Sequence, residues 1–204
     1  MPSVSKSVAN HALAQFRQHG GLLRTQEALD LGIHPRTLYA LYAAGQLEQL
    51  SRGLYRLVDL PPLTAPDWVI VARRLPSATI CLVSALAFHE LTTQIPHVVD
   101  VAIQQGAHRP VLDYPPLRVF WFSGPAWHAG VEVHSLDQTP VRIFGAAKTV
   151  ADCFKYRHKL GLDIALEALQ RYRRRSDFRI DALMDFARSD RVDTVLRPYV
   201  EALL

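Results

Sequence analysis

The chain has 204 residues, 49% of them hydrophobic and 21% charged, with two cysteines and a formal charge of +4. This composition supports a hydrophobic core and excludes a disordered chain, and Cys81 and Cys153, which lack CxxC spacing, exclude a disulfide framework and a cysteine zinc site. No stretch approaches the roughly 18–20 apolar residues of a membrane span and the N-terminus has no signal-type apolar run, so a cytoplasmic protein with buried thiols and without membrane contact is expected, and its mild basicity permits a nucleic-acid partner without requiring one.

In chain order, Ser5 to Gln18 has helical spacing, with Val8, Leu13 and Phe16 on one face, and Gly20-Gly21 ends it. "LLR" is a short extended segment. Thr25 is placed to cap a second helix, "QEALDL", which stops at Gly32. Pro35 suits the first turn of a third helix, which ends at Gly45 and turns Leu38, Leu41 and Tyr42 inward. Leu47–Leu50 and Leu54–Leu57 form a hairpin. Three prolines in "DLPPLTAPDW" place a boundary near residue 62. Beyond it, "PDWVIVARRL" and "SALAFHEL" read as helices, the second capped by Ser84. "HVVDVAIQ", "PLRVFWFS", "VEVHSL" and "TPVRIF" read as strands. Helices follow at about 147–159, 162–174, 181–189 and 192–203. The expected class is α+β: a winged helix-turn-helix over 1–62, then a mixed α+β domain over 63–204 that ends in a block of helices. Charge does not separate the two parts: residues 1–62 carry six Lys/Arg against four Asp/Glu, and 63–204 seventeen against fifteen.

A helix-turn-helix followed by a hairpin is a DNA-reading arrangement, in which the second helix enters the major groove. The outward face of Pro35–Ala44 would present Arg36, Thr37, Ala40 and Ala43, with Tyr39 at its edge. The alanines make it slim enough for a groove. Arg36 in the first turn is positioned to read guanine. Arg24, Thr25 and Gln26 begin the preceding helix, whose free amides and dipole favour a phosphate. Arg52 marks the wing tip, with Arg56 on the following strand. The same pattern is compatible with a winged helix used for protein contacts, or with a plain folding module.

The stretch "GGLLRTQEALDLGIHPRTLYALYAAGQLEQLSRGLYRL" resembles the N-terminal winged-helix domain of the AbiEi antitoxins of type IV, abortive-infection toxin–antitoxin systems. The likeness rests on the glycine pair followed by Arg-Thr, the G-I-x-x-x-T-L-x-x-L helix, the A-G-x-L exit and the R-G-L-Y second wing strand. "LVSALAFHELT" and "FGAAKTVADCFKYRHKLGLDIALEAL" are similar to the family's C-terminal domain. The resemblance implies an antitoxin that represses its own operon by binding promoter repeats in double-stranded DNA. It also implies a neighbouring gene for a nucleotidyltransferase-fold toxin, without deciding whether the two proteins touch. The N-terminal domain would supply the DNA contacts and the C-terminal domain the antitoxic function.

The second part offers two basic constellations. Lys148, Asp152, Lys155 and Lys159 share one helical face, which reads as a solvated face with i,i+4 ion pairs or, alternatively, as a contact surface. Arg171, Arg173, Arg174 and Arg175, followed by Arg179, suit a helix C-terminus and form a candidate phosphate-contact patch. Metal-dependent nuclease chemistry needs an acid on one strand and E-x-K on the next. The nearest match, Glu132-Val133-His134, lacks the lysine, and the acids Asp100 and Asp113 have no partner at the required spacing. Ser123-Gly124 stands in reverse order for a nucleotidyltransferase and no D-x-D follows it. His128 and His134 are placed to meet across a hairpin, which is too little for a metal site. No catalytic residue and no cofactor is expected.

Overall fold

The computed structural model describes residues 5–203. Its contacts group into two compact units. The first is the chain up to Pro76 together with Val111–Pro115 and Ser135–Thr139. The second comprises Ser77–Pro110, Pro116–His134 and the chain from Pro140 onward.

In the first unit, α1 (Lys6–Gln18) is capped by Ser5, whose Oγ accepts the Val8 N–H at 3.4 Å. It buries Ala12, Leu13 and Phe16, with Ala9 packed beside them. Val8, expected on this face, is 48% exposed, because the apolar stripe runs through Ala9 rather than through the first turn. Gly20 and Gly21, both at φ +75°, turn the chain into β1 (Leu22–Arg24). Next come α2 (Thr25–Asp30), α3 (Pro35–Ala43), β2 (Leu47–Ser51) and β3 (Leu54–Leu57). The strands form an antiparallel sheet in the order β1-β3-β2, so the expected hairpin is present with a third strand added on the far side of β3. α4 (Pro66–Arg74) follows the proline-rich stretch, and its Val69 and Ile70 pack with Leu22 and Leu54.

The second unit contains a mixed five-stranded sheet in the order β6-β5-β4-β8-β7, except for the end of β7 and the start of β8, which belong to the first. Its strands are β4 (Thr79–Ile80), β5 (Val99–Gln104), β6 (Leu117–Phe122), β7 (Val131–Leu136) and β8 (Thr139–Phe144). β4 pairs antiparallel with β5 and parallel with β8, and β5 pairs parallel with β6. The two-residue β4 carries no periodicity to detect, yet it is the central strand. Among the helices are α5 (Leu82–Phe88), α6 (Pro125–His128), α7 (Ala146–Lys155) and α8 (Arg157–Leu160). α9 (Leu162–Arg173), α10 (Ile180–Ser189) and α11 (Asp193–Leu203) complete the block. The expected helix over 147–159 is broken at Tyr156, between α7 and α8. Ser84 does not cap α5, which starts after Cys81; Ser84 lies inside it, fully buried, and its Oγ accepts the Asp100 N–H at 2.9 Å. Cys81 and Cys153 are wholly buried in the core of this unit, and burial pushes both thiols up. Among the described residues no helix is long and apolar enough to cross a membrane.

Candidate nucleic-acid interface

The second helix of the helix-turn-helix, α3, is exposed on one side. His34 caps it, its Nδ1 accepting the Arg36 N–H at 3.1 Å, and Pro35 occupies the first position, where no amide bond is lost. Leu38 and Leu41 are buried, as their spacing requires. Two positions differ from the sequence reading. Thr37 is buried (4% exposed), and Tyr42, expected in the core, is 45% exposed. The inward stripe runs through 37, 38 and 41, one position of rotation away from the stripe 38, 41 and 42. Thr37 therefore cannot reach a base, whereas Tyr42 joins the outer face, its ring edge-on to the buried Tyr55 at 5.9 Å. Burial raises the Tyr55 hydroxyl, and the nearby hydroxyls of Tyr39 and Tyr42 add to this, so three tyrosines cluster beside the helix. The exposed face thus consists of Arg36, Tyr39, Tyr42 and Ala43, with Ala40 half-buried between them. It carries one cation and no carboxylate.

The start of α2 does not offer the expected phosphate site. Glu27 folds back so that its Oε2 accepts the Arg24 N–H at 2.7 Å, and Arg73 of α4 pairs with the same carboxylate while donating to the Leu22 carbonyl. An anion approaching these amides would meet a carboxylate. Arg24 and Thr25 are half-buried, and Gln26, though exposed, donates to Asp30.

The wing tip is Arg52-Gly53, with Gly53 at φ +71°. Arg52 is exposed, as expected. Its backbone N–H donates to Asp113 Oδ2 at 2.9 Å, and a methyl group added at Gly53 would lie 3.5 Å from the Arg74 guanidinium. Arg56 is not a surface cation. Only 6% exposed, it donates to Glu48 at 2.8 Å and to the Pro61 carbonyl, which ties β3 to β2 and to the chain leaving the hairpin. Alternation along β3 fails as a guide to exposure because all four of its residues are buried.

In the second unit the lysine face is an interior one. Lys148 is 1% exposed and its Nζ reaches Asp152 Oδ1 and, at 3.0 Å, Asp190 Oδ2. Lys155 donates to Asp190 Oδ1 at 2.9 Å. The solvated-face reading fails because α10 packs on this side of α7 and brings Asp190 with it. Burial works against the Lys148 ammonium, but the two carboxylates outweigh it and its pKa is raised. Lys159 remains exposed near the Tyr156 ring. The arginine group is partly neutralised: Arg171 pairs with Glu167, Arg175 forms a two-point pair with Asp177, and Arg179 pairs with Asp181. Arg173 and Arg174 are exposed, with no ion pair within 4.0 Å among the described residues.

The acids weighed for nuclease chemistry are engaged otherwise. Asp100 is wholly buried in a two-point pair with Arg118 and also accepts the Val83 N–H. Glu132 pairs with His134, whose ring lies against Phe88 and His89, while His128 lies against Trp127. Among the described residues no group of three or more His, Cys, Asp or Glu side chains is placed to hold a metal.

Residues 11–58, which span most of α1, the helix-turn-helix and the wing, match the family model described as transcriptional regulator, AbiEi antitoxin. This is the family read from the residues of the same segment. No curated protein matches the chain. The crystal structure of the RV2827C protein from Mycobacterium tuberculosis superimposes with a TM-score of 0.53 at 12% identity, covering 98% of this chain and 83% of that one. At that identity the likeness is one of fold alone.

Proposed function

We propose that the protein is a DNA-binding antitoxin that acts in the cytoplasm and represses its own operon, counteracting the nucleotidyltransferase-fold product of a neighbouring gene. The observation that carries this reading is the outer face of α3. It is narrow, free of carboxylates and tipped by Arg36, on a helix-turn-helix within the segment matching a transcriptional-regulator family. Arg36 reads a base edge. Tyr39, Tyr42 and Ala43 line the groove, and Arg52 engages the backbone or the minor groove beside it. The exposed pair Arg173 and Arg174 is a secondary candidate for a phosphate contact.

The test is titration of the full chain with a duplex from the region immediately upstream of its own gene, against an unrelated duplex of equal length, over a range of salt. Arg36→Ala should weaken the upstream duplex by roughly fivefold to 150-fold and relax base preference. Equal binding of both duplexes by wild type, or no effect of Arg36→Ala, would sink the assigned face. Co-expression with the adjacent gene product, scored by growth, tests the antitoxin half independently.

A further inference from the structure

The wing tip is secured by a residue 61 positions downstream: the Arg52 N–H donates to Asp113 Oδ2 at 2.9 Å. Val111–Pro115 lies between β5 and β6 in sequence, yet it groups with the winged-helix unit. We infer that Asp113 is a positioning residue for DNA binding, holding the turn so that the Arg52 side chain projects toward the nucleic acid. This rests on the DNA-binding reading above.

Three features support it. A two-residue hairpin tip is ordinarily among the most mobile parts of a fold, and its outward amide bonds only to water. Here that amide has a charged acceptor, which is stronger than a neutral one. The acceptor is also anchored: burial opposes ionisation, but the Arg52, Asp113 and Tyr114 amides together hold the Asp113 carboxyl below its usual range, with Arg74 helping. Finally, the Asp67 carboxyl near the start of α4 lies close enough to the neighbouring Tyr114 hydroxyl to raise it, which sets the loop beside α4 as well as beside the wing. A tip ordered before binding loses less freedom when Arg52 meets DNA. A carboxylate on a DNA-facing edge is otherwise unfavourable, since it repels phosphate, and the Arg74 guanidinium beside Gly53 offsets part of that repulsion.

The experiment compares full-length wild type, Asp113→Ala, Asp113→Asn, Arg52→Ala and the Asp113→Ala/Arg52→Ala double variant. Binding to the upstream and unrelated duplexes is followed by fluorescence anisotropy, and thermal melting is measured in parallel. Asp113→Ala should weaken the upstream duplex about fivefold, while Asp113→Asn, which keeps an oxygen acceptor, should stay within about twofold of wild type. On the Arg52→Ala background the alanine at 113 should cost nothing more, because Asp113 acts through Arg52. The inference is overturned by unchanged binding of Asp113→Ala, by tighter binding of both position-113 variants, or by equal losses on the two backgrounds. The first would make the clamp idle, the second would make the carboxylate a mere repellent, and the third would mark a general folding role. A wild-type protein that binds neither duplex overturns the DNA reading and the inference with it.

Discussion

Replacing Lys148 with methionine separates a buried ionic clamp from a contact surface. The methionine keeps most of the apolar stem and removes only the ammonium. That ammonium touches Asp152 and Asp190, and the three side chains are 1%, 0% and 1% exposed. It also sits 5.2 Å from the Phe122 and Phe144 ring centres, which offer no hydrogen-bonding group in its place. Without it, Asp152 and Asp190 face each other with Lys155, 32% exposed, as the remaining cation. Breaking a buried pair by removing one partner costs about 3–5 kcal/mol. Asp152 relieves part of this by taking up a proton, since burial already lifts its carboxyl well above the usual range. The expected loss therefore lies near the lower end, about 3 kcal/mol. For a chain of this size it corresponds to a fall in Tm of roughly 6–12 °C. Urea and thermal unfolding of Lys148→Met would be read against Lys159→Met, an exposed control on α8. A change within about 0.5 kcal/mol of that control, the range expected of surface sites, would refute the clamp. Loss of DNA or partner binding at full stability would restore the contact surface.

Asp152→Asn gives a pH signature. Burial, against the pull of Lys148, raises the Asp152 carboxyl above its ordinary 3.8, so above that pH the folded protein holds a proton that the unfolded chain releases. This contribution is full below 3.8 and is lost as pH rises through the raised folded value. The stability gap between wild type and Asp152→Asn should narrow as pH rises above 3.8, and urea midpoints that diverge with rising pH would contradict it. Arg56→Gln should lower stability by about 2 kcal/mol, because it strips the partner from Glu48 and the Pro61 carbonyl, while leaving the salt slope of DNA binding unchanged at temperatures where the variant is folded. Gly130→Ala should cost roughly 1–3 kcal/mol in chemical denaturation, since its Cβ would come within 2.8 Å of Lys148 Cβ at a φ of +70°.

Much of the first unit was readable locally. Ser5, Gly20-Gly21 and Pro35 punctuate their helices as their chemistry requires, and Leu38 with Leu41 sets the inward face of α3. The rotation of that face was not readable. The stripes 37, 38, 41 and 38, 41, 42 are related by a modest rotation of a short helix, and what packs beneath decides whether Thr37 or Tyr42 turns in. In the second unit the four longer strands announced themselves by alternation. β4 did not, because two residues have no period. Among candidate site residues, Arg36 and Arg52 stand exposed where the pattern put them, whereas Arg56 and Lys148 are interior. Both are long cations on faces that look solvated when their own element is considered alone.

Residue order alone determined the helix-turn-helix with its hairpin, the α+β class and the family likeness of residues 11–58. These rest on neighbours within a few positions, where dihedral preference and periodicity act. Only the tertiary structure decided which charges face water. Asp190 meets Lys148 across 42 positions, and Asp113 meets Arg52 across 61. A charge is kept inside only where an opposite charge or an amide is brought to it, and that partner is supplied by chain folding rather than by sequence proximity.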